Sequence, residues 1–143
     1  MKKILLFLFV TVIACTSSIN KDVEASMKQY DNLILHTNAK AISEMFTTDG
    51  EMAPRGMAPI VGRDSIEKFL SQFADIKVEE QKSTTDSIRR FGDTAIQYGK
   101  YYQRDSINNT EAEVHGMFQA NWVLQPDGKL LLKRMSAWAT GND

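Results

Sequence analysis

The second half of the chain alternates apolar and polar residues over three long segments, which is the pattern of β-strands. The segments cover residues 94–105, 111–124 and 129–139. Each can hold about 10–12 strand residues, roughly twice the usual length. Turn sequences precede and separate them, at Gly92-Asp93, Asn108-Asn109 and Gln125-Pro126-Asp127-Gly128. The pattern therefore predicts long strands that fold back on one another in an antiparallel sheet.

The first half of the chain repeats apolar residues every three or four positions, as amphipathic helices do. Three helices follow from this period, with apolar faces made by Val23, Met27, Tyr30 and Ile34, then by Ile42, Met45 and Phe46, and last by Ile66, Phe69, Leu70 and Phe73. Asn38 is a candidate N-cap for the second helix, and Asp64 with Glu67 has the spacing of a capping box for the third.

The segments between these helices and the sheet have weaker patterns. Residues 47–50 are expected to end the second helix, and residues 52–61 hold two prolines and a glycine. That second segment therefore predicts a short strand or an ordered crossing loop. From Ile76 the period changes toward two, which predicts a polar, solvated strand that extends to Thr85.

Helices followed by antiparallel strands predict an α+β domain with its helices on one side of the sheet. Long strands twist, and Gly99 and Gly116 lie within two of them, so we expect bulges or bends there. The predicted fold is a cone, in which a strongly curved, mainly antiparallel sheet packs against three N-terminal helices. The concave side of the sheet is either filled by side chains or open as a pocket.

The N-terminus has the features of a secretory signal. Lys2 and Lys3 precede an uncharged apolar segment that ends at Cys15, the only cysteine, and that is too short to span a bilayer comfortably. The last four residues of this segment, VIAC, resemble a bacterial lipobox, and this resemblance implies that the Cys15 thiol receives a diacylglycerol. The alternative is an ordinary signal peptide with a cysteine near the cleavage site. We expect a signal peptide at 1–14, a tether at 15–20 and one domain at 21–140.

These assignments predict a cell-envelope protein anchored to a bacterial outer or inner membrane, facing the periplasm or the surface. Removing residues 1–14 takes away two lysines and no acidic residue, so the formal net charge of −1 becomes more negative by two. An acidic domain without a basic face is a poor partner for nucleic acid. Charge does not draw it to an anionic membrane either, so the lipid alone would attach it.

The order of several short sequences resembles the SnoaL-like proteins, which belong to the nuclear-transport-factor-2-like superfamily. The stretch from Gly56 to Ile66 is similar to their crossing loop and third-helix start, and Gly92 to Tyr101 to their central strand. The stretch from Gly116 to Gly128 is similar to their last hairpin. The resemblance, which covers residues 20–138, implies a cone-shaped α+β fold with a pocket and commonly a homodimer through the sheet. It implies no single activity, because members include isomerases, cyclases, dehydratases, epoxide hydrolases and binding proteins.

Catalytic residues are not identified by the sequence. The steroid-isomerase branch of the superfamily carries a general-base aspartate at the position that falls here on Ala53 or Pro54, and neither can take a proton. An enzyme of the lyase or isomerase type would need Glu51 or His115 together with a tyrosine. The alternation places His115 opposite the face that holds Phe118 and Trp122. The two histidines, His36 and His115, have no metal-ligand spacing, and neither a metal nor a cofactor is predicted.

Apolar and aromatic residues of the predicted inner face are the remaining signal. The candidate ligand-binding residues are Tyr30, Met52, Phe69, Tyr101, Phe118, Trp122 and Trp138. Methionine and aromatic side chains suit an adaptable apolar pocket, although the same residues can simply fill a core. We therefore expect a domain, not an enzyme, that binds a small apolar molecule or an envelope protein. The enzyme and a purely structural dimerisation domain are the alternatives.

Overall fold

The computed structural model describes the backbone of residues 14–140 and the side chains of residues 19–140. The elements in chain order are α1 (Ala14–Leu35), α2 (Ala39–Glu44), β1 (Phe46–Pro54), β2 (Ile60–Val61), α3 (Arg63–Leu70), a short 3₁₀ helix (Ser71–Phe73), β3 (Lys77–Phe91), β4 (Thr94–Ile107), β5 (Thr110–Leu124) and β6 (Leu130–Ala139). The strands form one curved, open six-stranded sheet in the order β2-β1-β6-β5-β4-β3. All pairs are antiparallel except β1 with β6. The predicted α+β fold with a mainly antiparallel curved sheet is confirmed.

The three long strands predicted from alternation are β4, β5 and β6, and their bounds agree with the prediction to within two residues. Asn108 and Asn109 both have positive φ, 50° and 63°, which is the backbone of a tight hairpin turn. The amide of Gly128 donates to the carbonyl oxygen of Gln125 at 2.9 Å, which closes the predicted Pro-containing turn. Both predicted turns are therefore present at the ends of these hairpins.

A register shift between β3 and β4 lies at Gly99, between its pair with Thr85 and the Tyr98–Ser87 pair, so the bulge expected there is confirmed, whereas the ladders show no shift at Gly116. The β4–β5 ladder continues without a shift from the Thr94–Val123 pair to the Ile107–Thr110 pair. A Cβ on Gly116 would collide with the ring of Tyr101, its partner across the strands, and a Cβ on Gly99 would collide with Phe118 and the Thr84 carbonyl. Each glycine therefore makes room for an aromatic ring on the concave face. The remaining register shifts lie between Val78 and Glu80 in the β3–β4 pair and in the β5–β6 and β1–β6 pairs.

The first two helices bury most of their predicted stripes, with Val23, Met27 and Tyr30 of α1 buried. Ile42, Met45 and Phe46 are buried as well, but Phe46, predicted on the second helix, is the first residue of β1. Of the third stripe Ile66 is buried, whereas Phe73 is exposed. Oδ1 of Asn38 accepts from the Ala41 amide at 3.0 Å, which confirms the predicted N-cap. Residues 15–20 belong to α1, so this helix begins before the predicted tether ends. Residues 1–13 of the predicted signal peptide 1–14 and the side chain of Cys15 lie outside the described residues.

Three details of the first half differ from the sequence prediction. Residues 47–50, predicted to end a helix, lie in β1, in the interval between Phe46 and Glu51 where the register with β6 shifts. The capping box at Asp64 is wrong, because α3 begins after Gly62, whose φ of 86° suits glycine. Asp64 lies in the first turn, where a carboxylate favours the helix dipole. β3 extends to Phe91, beyond the predicted Thr85.

Candidate functional site

A hollow of about 170 Å³ lies between α1 and the concave face of strands β3 to β6. This volume is close to the ~150 Å³ apolar cavity that accommodates benzene in an engineered protein. The hollow is lined by Met27, Tyr30, Ile34, Gln81, Ser83, Tyr101, Gln103, Phe118, Met135 and Ala137. Half of these residues, including Phe118, are apolar, and the polar groups of the others come from β3, β4 and the two tyrosines. The hollow therefore combines apolar walls with one polar side.

A second hollow of about 330 Å³ adjoins the first. Both are lined by Ile34 and Gln103, and the second continues toward α2, Leu70 and Phe73. Phe73 is 43% exposed, so this outer hollow reaches the surface of the protein. The two hollows therefore lie next to each other, and the outer one opens to solvent.

The polar side is built by Asp31 of α1 and the inner face of β3. The carboxylate of Asp31 accepts three hydrogen bonds, from Nε2 of Gln81 at 3.0 Å, from the Ser83 amide at 2.8 Å and from the Ser83 hydroxyl at 2.7 Å. These bonds join α1 to β3 over some fifty residues of sequence. They fix the side chains of Gln81 and Ser83 at the wall of the hollow.

Two neighbouring glutamines are oriented by carboxylates. Gln81 and Gln103 are direct partners across β3 and β4. Nε2 of Gln103 donates to both oxygens of Asp105, at 2.8 and 2.9 Å, as Nε2 of Gln81 donates to Asp31. Because an ionised carboxylate only accepts, the amide nitrogens must face the aspartates, and this assigns the positions of the amide oxygens. Among the residues that the structure describes, the buried Oε1 of Gln81 has no hydrogen-bond partner.

Two tyrosines of the hollow stay protonated. Burial raises the pKa of Tyr30 well above its ordinary value, and the charge of the neighbouring Asp31 raises it further. Burial also raises the pKa of Tyr101. Near neutral pH both side chains are therefore uncharged hydroxyls, which can donate or accept a hydrogen bond but do not serve as a ready base.

The predicted ligand-binding residues divide into three groups. Tyr30, Tyr101 and Phe118 line the hollow. Met52, Phe69 and Trp122 instead pack in or against the filled core, with Trp122 0% exposed. The inner face is thus partly a hollow and partly solid.

Trp138 lies on the outer face, so its predicted inward position is wrong. It pairs with Met117, whereas the neighbouring Phe118–Ala137 pair faces the core. The cause is a register shift that leaves Lys133 without a partner on β5. One extra residue inverts the alternation, so Leu132 points inward before the shift, and Met135 and Ala137 point inward after it.

The residues that the enzyme alternative requires lie away from the hollow. Oε2 of Glu51 accepts from Nη1 of Arg134 at 2.7 Å, on the face of β1 opposite the buried Met52. His115 is exposed on the outer face beside Tyr102, with ring centroids 5.1 Å apart, as its parity predicts. His36 is exposed just after α1, with Nδ1 2.7 Å from the carbonyl oxygen of Asn32.

The polar residues at the hollow were not predicted from the sequence, namely Asp31, Gln81, Ser83 and Gln103. The strand that carries Gln81 and Ser83 was predicted to be polar and solvated, although Gln81, Ser83 and Thr85 occur at period two on its inner face. That alternation was available in the sequence. The alternation did not show that α1 covers this face of β3, because the contact between the two elements is made by Asp31, far away in the sequence.

The described residues contain no cluster of three or more His, Cys, Asp or Glu side chains that could hold a metal ion. Within the same part of the chain, no helix is long and apolar enough to cross a bilayer.

Solved structures with the same architecture are numerous, but sequence comparisons find no match. The chain matches no protein-family profile and no curated protein. A ketosteroid isomerase-like protein from Erwinia carotovora atroseptica aligns over 85% of this chain and 96% of its own, with a TM-score of 0.76 and 13% identity. An NTF2-like protein with a cystatin-like fold from Novosphingobium aromaticivorans aligns over 95% and 94%, with a TM-score of 0.72 and 17% identity.

A third structure, from Catenulispora acidiphila, is described as a complex with S-DNPA. It aligns over 87% of this chain and 95% of its own, with a TM-score of 0.73 and 13% identity. At this level of identity the likeness concerns the fold alone. The fold of this chain is therefore that of the ketosteroid isomerase-like and NTF2-like proteins, which agrees with the SnoaL-like resemblance of its sequence.

Proposed function

We propose that this protein is a lipid-anchored envelope protein whose domain binds a small, largely apolar molecule in the hollow between α1 and the sheet. The observation that carries the binding proposal is the hollow itself, about 170 Å³ in volume and bounded by Met27, Phe118 and Met135. Removing apolar ligand surface from water favours binding by roughly 25 cal/mol per Å² before the costs of association. Methionine walls adapt to ligand shape at little cost.

The structural neighbours support this proposal at the level of the fold. The Catenulispora protein is described in complex with S-DNPA, so this architecture accommodates a bound compound in at least one other chain. In this chain, the adjoining hollow of about 330 Å³ supplies the entry route.

The geometry favours binding over a reaction that uses Glu51 or His115. Proton transfer requires a base within hydrogen-bond reach of the substrate, about 2.6–3.2 Å between heavy atoms. Glu51 pairs with Arg134, and the ring of His115 lies tilted beside that of Tyr102, both on the outer side of the sheet. Neither residue meets a tyrosine of the hollow, so neither has the position that the alternative requires.

Methyl NMR of ¹³C-labelled methionine tests the binding proposal directly. We expect benzene-sized probes, toluene and phenol, to shift the methyl signals of Met27 and Met135, which line the hollow. The signals of Met57 and Met117, which are exposed elsewhere, should stay in place. Methionine-to-leucine variants assign the signals. If neither probe moves Met27 or Met135, small-molecule binding in this hollow is refuted.

A filled-hollow variant provides the matched control. Ala137→Leu adds three carbon atoms at the wall of the hollow, and we expect it to weaken binding of both probes at least tenfold. Ala112→Leu makes the same change at an exposed position of β5 and should leave binding unchanged. Thermal unfolding of both variants shows whether the domain remains folded.

The lipid anchor is the second part of the proposal and rests on the residues VIAC at 12–15. We expect Cys15→Ser to abolish incorporation of radiolabelled palmitate and to release the protein from the membrane fraction. Ser17→Ala, a change of similar size two residues away, should retain both properties. Continued labelling and sedimentation of Cys15→Ser would show that the anchor is not at this cysteine.

A further inference from the structure

We infer that the outer hollow is a binding site of its own, and that its ligand is an organic cation with an apolar body, whose protonated amine pairs with Asp105. The outer hollow is the space of about 330 Å³ that adjoins the inner one and opens to solvent beside Phe73. Its ligand lies outside the inner hollow, so this inference does not depend on the binding proposed there.

The walls of the outer hollow are mostly apolar and come from four elements. Among the lining residues, Ile42 belongs to α2, Leu70 to α3, Phe73 to the 3₁₀ helix and Val78 to β3. The ring of Phe73 is held by an edge-to-face contact with Phe69, with ring centroids 5.2 Å apart. The volume lies within the range of ligand sites, about 300–1,000 Å³, and exceeds the ~150 Å³ that accommodates benzene. The outer hollow therefore has room for an aromatic ring with a short side chain.

Asp105 is the one charged residue among the described residues that line the outer hollow. It follows Gln103 by two positions on the concave face of β4. Its neighbour Arg104 lies on the opposite face, where it pairs with Glu80 and Glu111. The carboxylate of Asp105 forms no ion pair with a basic side chain of residues 19–140. The outer hollow thus presents a negative charge that no cationic side chain of this range balances.

The hydrogen bonds of Asp105 leave acceptor sites for a ligand. Nε2 of Gln103 donates to both carboxylate oxygens, at 2.8 and 2.9 Å, whereas an ionised carboxylate can accept about four hydrogen bonds. A half-buried charge beside apolar walls costs free energy unless it is paired. An ammonium group supplies both a positive charge and three N–H donors, and charge-assisted hydrogen bonds are the stronger kind.

The composition of the walls favours an organic cation over a metal ion. Ca²⁺ takes six to eight oxygen ligands and Mg²⁺ requires an octahedral set. Within the described part of the chain, no cluster of three or more acidic, histidine or cysteine side chains offers such a set. The hydrocarbon that surrounds Asp105 instead suits the apolar body of an amine. An anion would meet the charge of Asp105 without a partner.

Three probes of similar size separate charge from apolar contact in the unmodified protein. They are 2-phenylethylamine, 2-phenylethanol and 3-phenylpropanoate, which at neutral pH are a cation, a neutral molecule and an anion. We expect the amine to bind about tenfold more tightly than the alcohol, as a hydrogen bond to a charged group provides. The anion should bind at least tenfold less tightly than the alcohol.

Methyl NMR locates the bound probe. The methyl signals of Ile42 and Ile76, which line the outer hollow, should move with the amine. Those of Met27 and Met135, which line the inner hollow, should move less, and that of the exposed Ile107 should stay in place. An amine that moves the two methionines and neither isoleucine would contradict the assigned site.

Two substitutions separate the charge from the wall. Asp105→Asn keeps an acceptor for Gln103, and we expect it to weaken amine binding about tenfold while the alcohol binds as before. Asp86→Asn makes the same change of net charge at an exposed position of β3 and should keep the preference. Phe73→Ala should weaken the amine and the alcohol by the same factor, whereas Phe91→Ala, at a residue exposed elsewhere, should weaken neither.

Equal binding of amine and alcohol by the unmodified protein, or a preference that survives in Asp105→Asn, would overturn the cation assignment. If no probe moves Ile42 or Ile76, the outer hollow is not a binding site. Neither result decides the proposed function, which toluene and phenol test at Met27 and Met135. Should Asp105→Asn not fold, the three probes and the isoleucine signals still decide the question in the unmodified protein.

Discussion

At the residue scale, one buried amide joins the core to the polar face of β3. Gln97 is fully buried, and its Oε1 accepts from Nε1 of Trp122 at 2.9 Å. Its Nε2 donates to Oγ1 of Thr85, also at 2.9 Å. Because indole nitrogen only donates, this chain fixes the orientation of the amide and satisfies both of its ends. Trp122 thus stabilises the core by its volume and by its hydrogen bond.

We predict that Trp122→Phe lowers the free energy of unfolding by about 2–4 kcal/mol. The loss combines an unpaired buried oxygen on Gln97 with the missing ring volume. Trp122→Ala should cost about 3–5 kcal/mol, as the removal of a large core side chain does. Urea denaturation measures both. Trp138→Phe, the same substitution on the outer face, should cost less than about 1 kcal/mol.

A double variant separates the two causes. Adding Gln97→Leu to Trp122→Phe removes the stranded acceptor together with its lost donor, so part of the stability should return. If Trp122→Phe costs under about 0.5 kcal/mol, the hydrogen bond and the fit of this ring contribute little to stability. Alternation predicted the inward positions of Phe118 and Trp122 correctly. It did not predict Gln97 as their polar partner, because a period identifies a face and not the groups that meet there.

At the element scale, β1 and β6 show what local sequence could not reveal. Residues 47–50 contain turn-forming types, yet they lie in a strand, between the Phe46–Leu132 and Glu51–Arg134 pairs that β1 makes with the parallel strand β6. Gly50 permits the close approach, since a Cβ there would lie 2.9 Å from the carbonyl oxygen of Leu132. The register shift at Lys133 likewise depends on how β6 pairs with its neighbour β5 and not on the local sequence. It inverted the predicted face of Trp138, and no sequence period marks it.

The ion pair of Asp49 and Lys133 joins the two strands at this irregularity, with 2.6 Å between Oδ2 and Nζ. The hydrogen bond from Lys133 lowers the pKa of the Asp49 carboxyl, and a second from Thr47 lowers it further. We predict that Lys133→Met raises the pKa of Asp49, measured by NMR titration of the side-chain carboxyl carbon. Lys129→Met, which removes a lysine from the neighbouring turn, should leave the pKa of Asp49 unchanged.

The sign of the stability effect follows from the lowered pKa. The folded protein binds the proton on Asp49 less readily than the unfolded chain does, so the pair stabilises the fold above the pKa of an unfolded carboxyl. This contribution disappears as the pH falls through the folded pKa. The stability difference between the unmodified protein and Lys133→Met should therefore shrink in acid. A difference that grows in acid would contradict the assignment. Because Asp49 is exposed, the effect should be small.

At the scale of the whole molecule, the order of helical and strand periods was enough to predict the cone. The resemblance of residues 20–138 to SnoaL-like proteins pointed to the same fold. The hollow could be predicted only in part, since its apolar wall follows from periodicity but its polar wall depends on how α1 lies against β3. A homodimer through the sheet stays a prediction, and the outer face offers Met117 and Trp138 to it.

Docking of α1 against the sheet buries Tyr30. The free energy of unfolding should therefore depend on pH in the alkaline range. Burial raises the pKa of the Tyr30 hydroxyl far above that of an exposed tyrosine. The unfolded chain therefore loses this proton at about pH 10, whereas the folded chain retains it. Stability associated with Tyr30 is complete below pH about 10 and is lost as the pH rises above it. We expect a decline of up to about 1.4 kcal/mol per pH unit from this one group.

Tyr30→Phe removes the ionisable hydroxyl. In this variant the free energy of unfolding should fall less steeply with rising pH, by up to about 1.4 kcal/mol per pH unit. The measurement is a series of urea denaturation curves between about pH 8 and pH 11, with tyrosinate absorbance recorded in parallel. In the unmodified protein, one tyrosine should ionise only as the domain unfolds, and this late step should be missing in Tyr30→Phe. Tyr98→Phe, on the outer face of β4, should retain it. Equal alkaline slopes for the unmodified protein and Tyr30→Phe would show that α1 does not hold Tyr30 away from water.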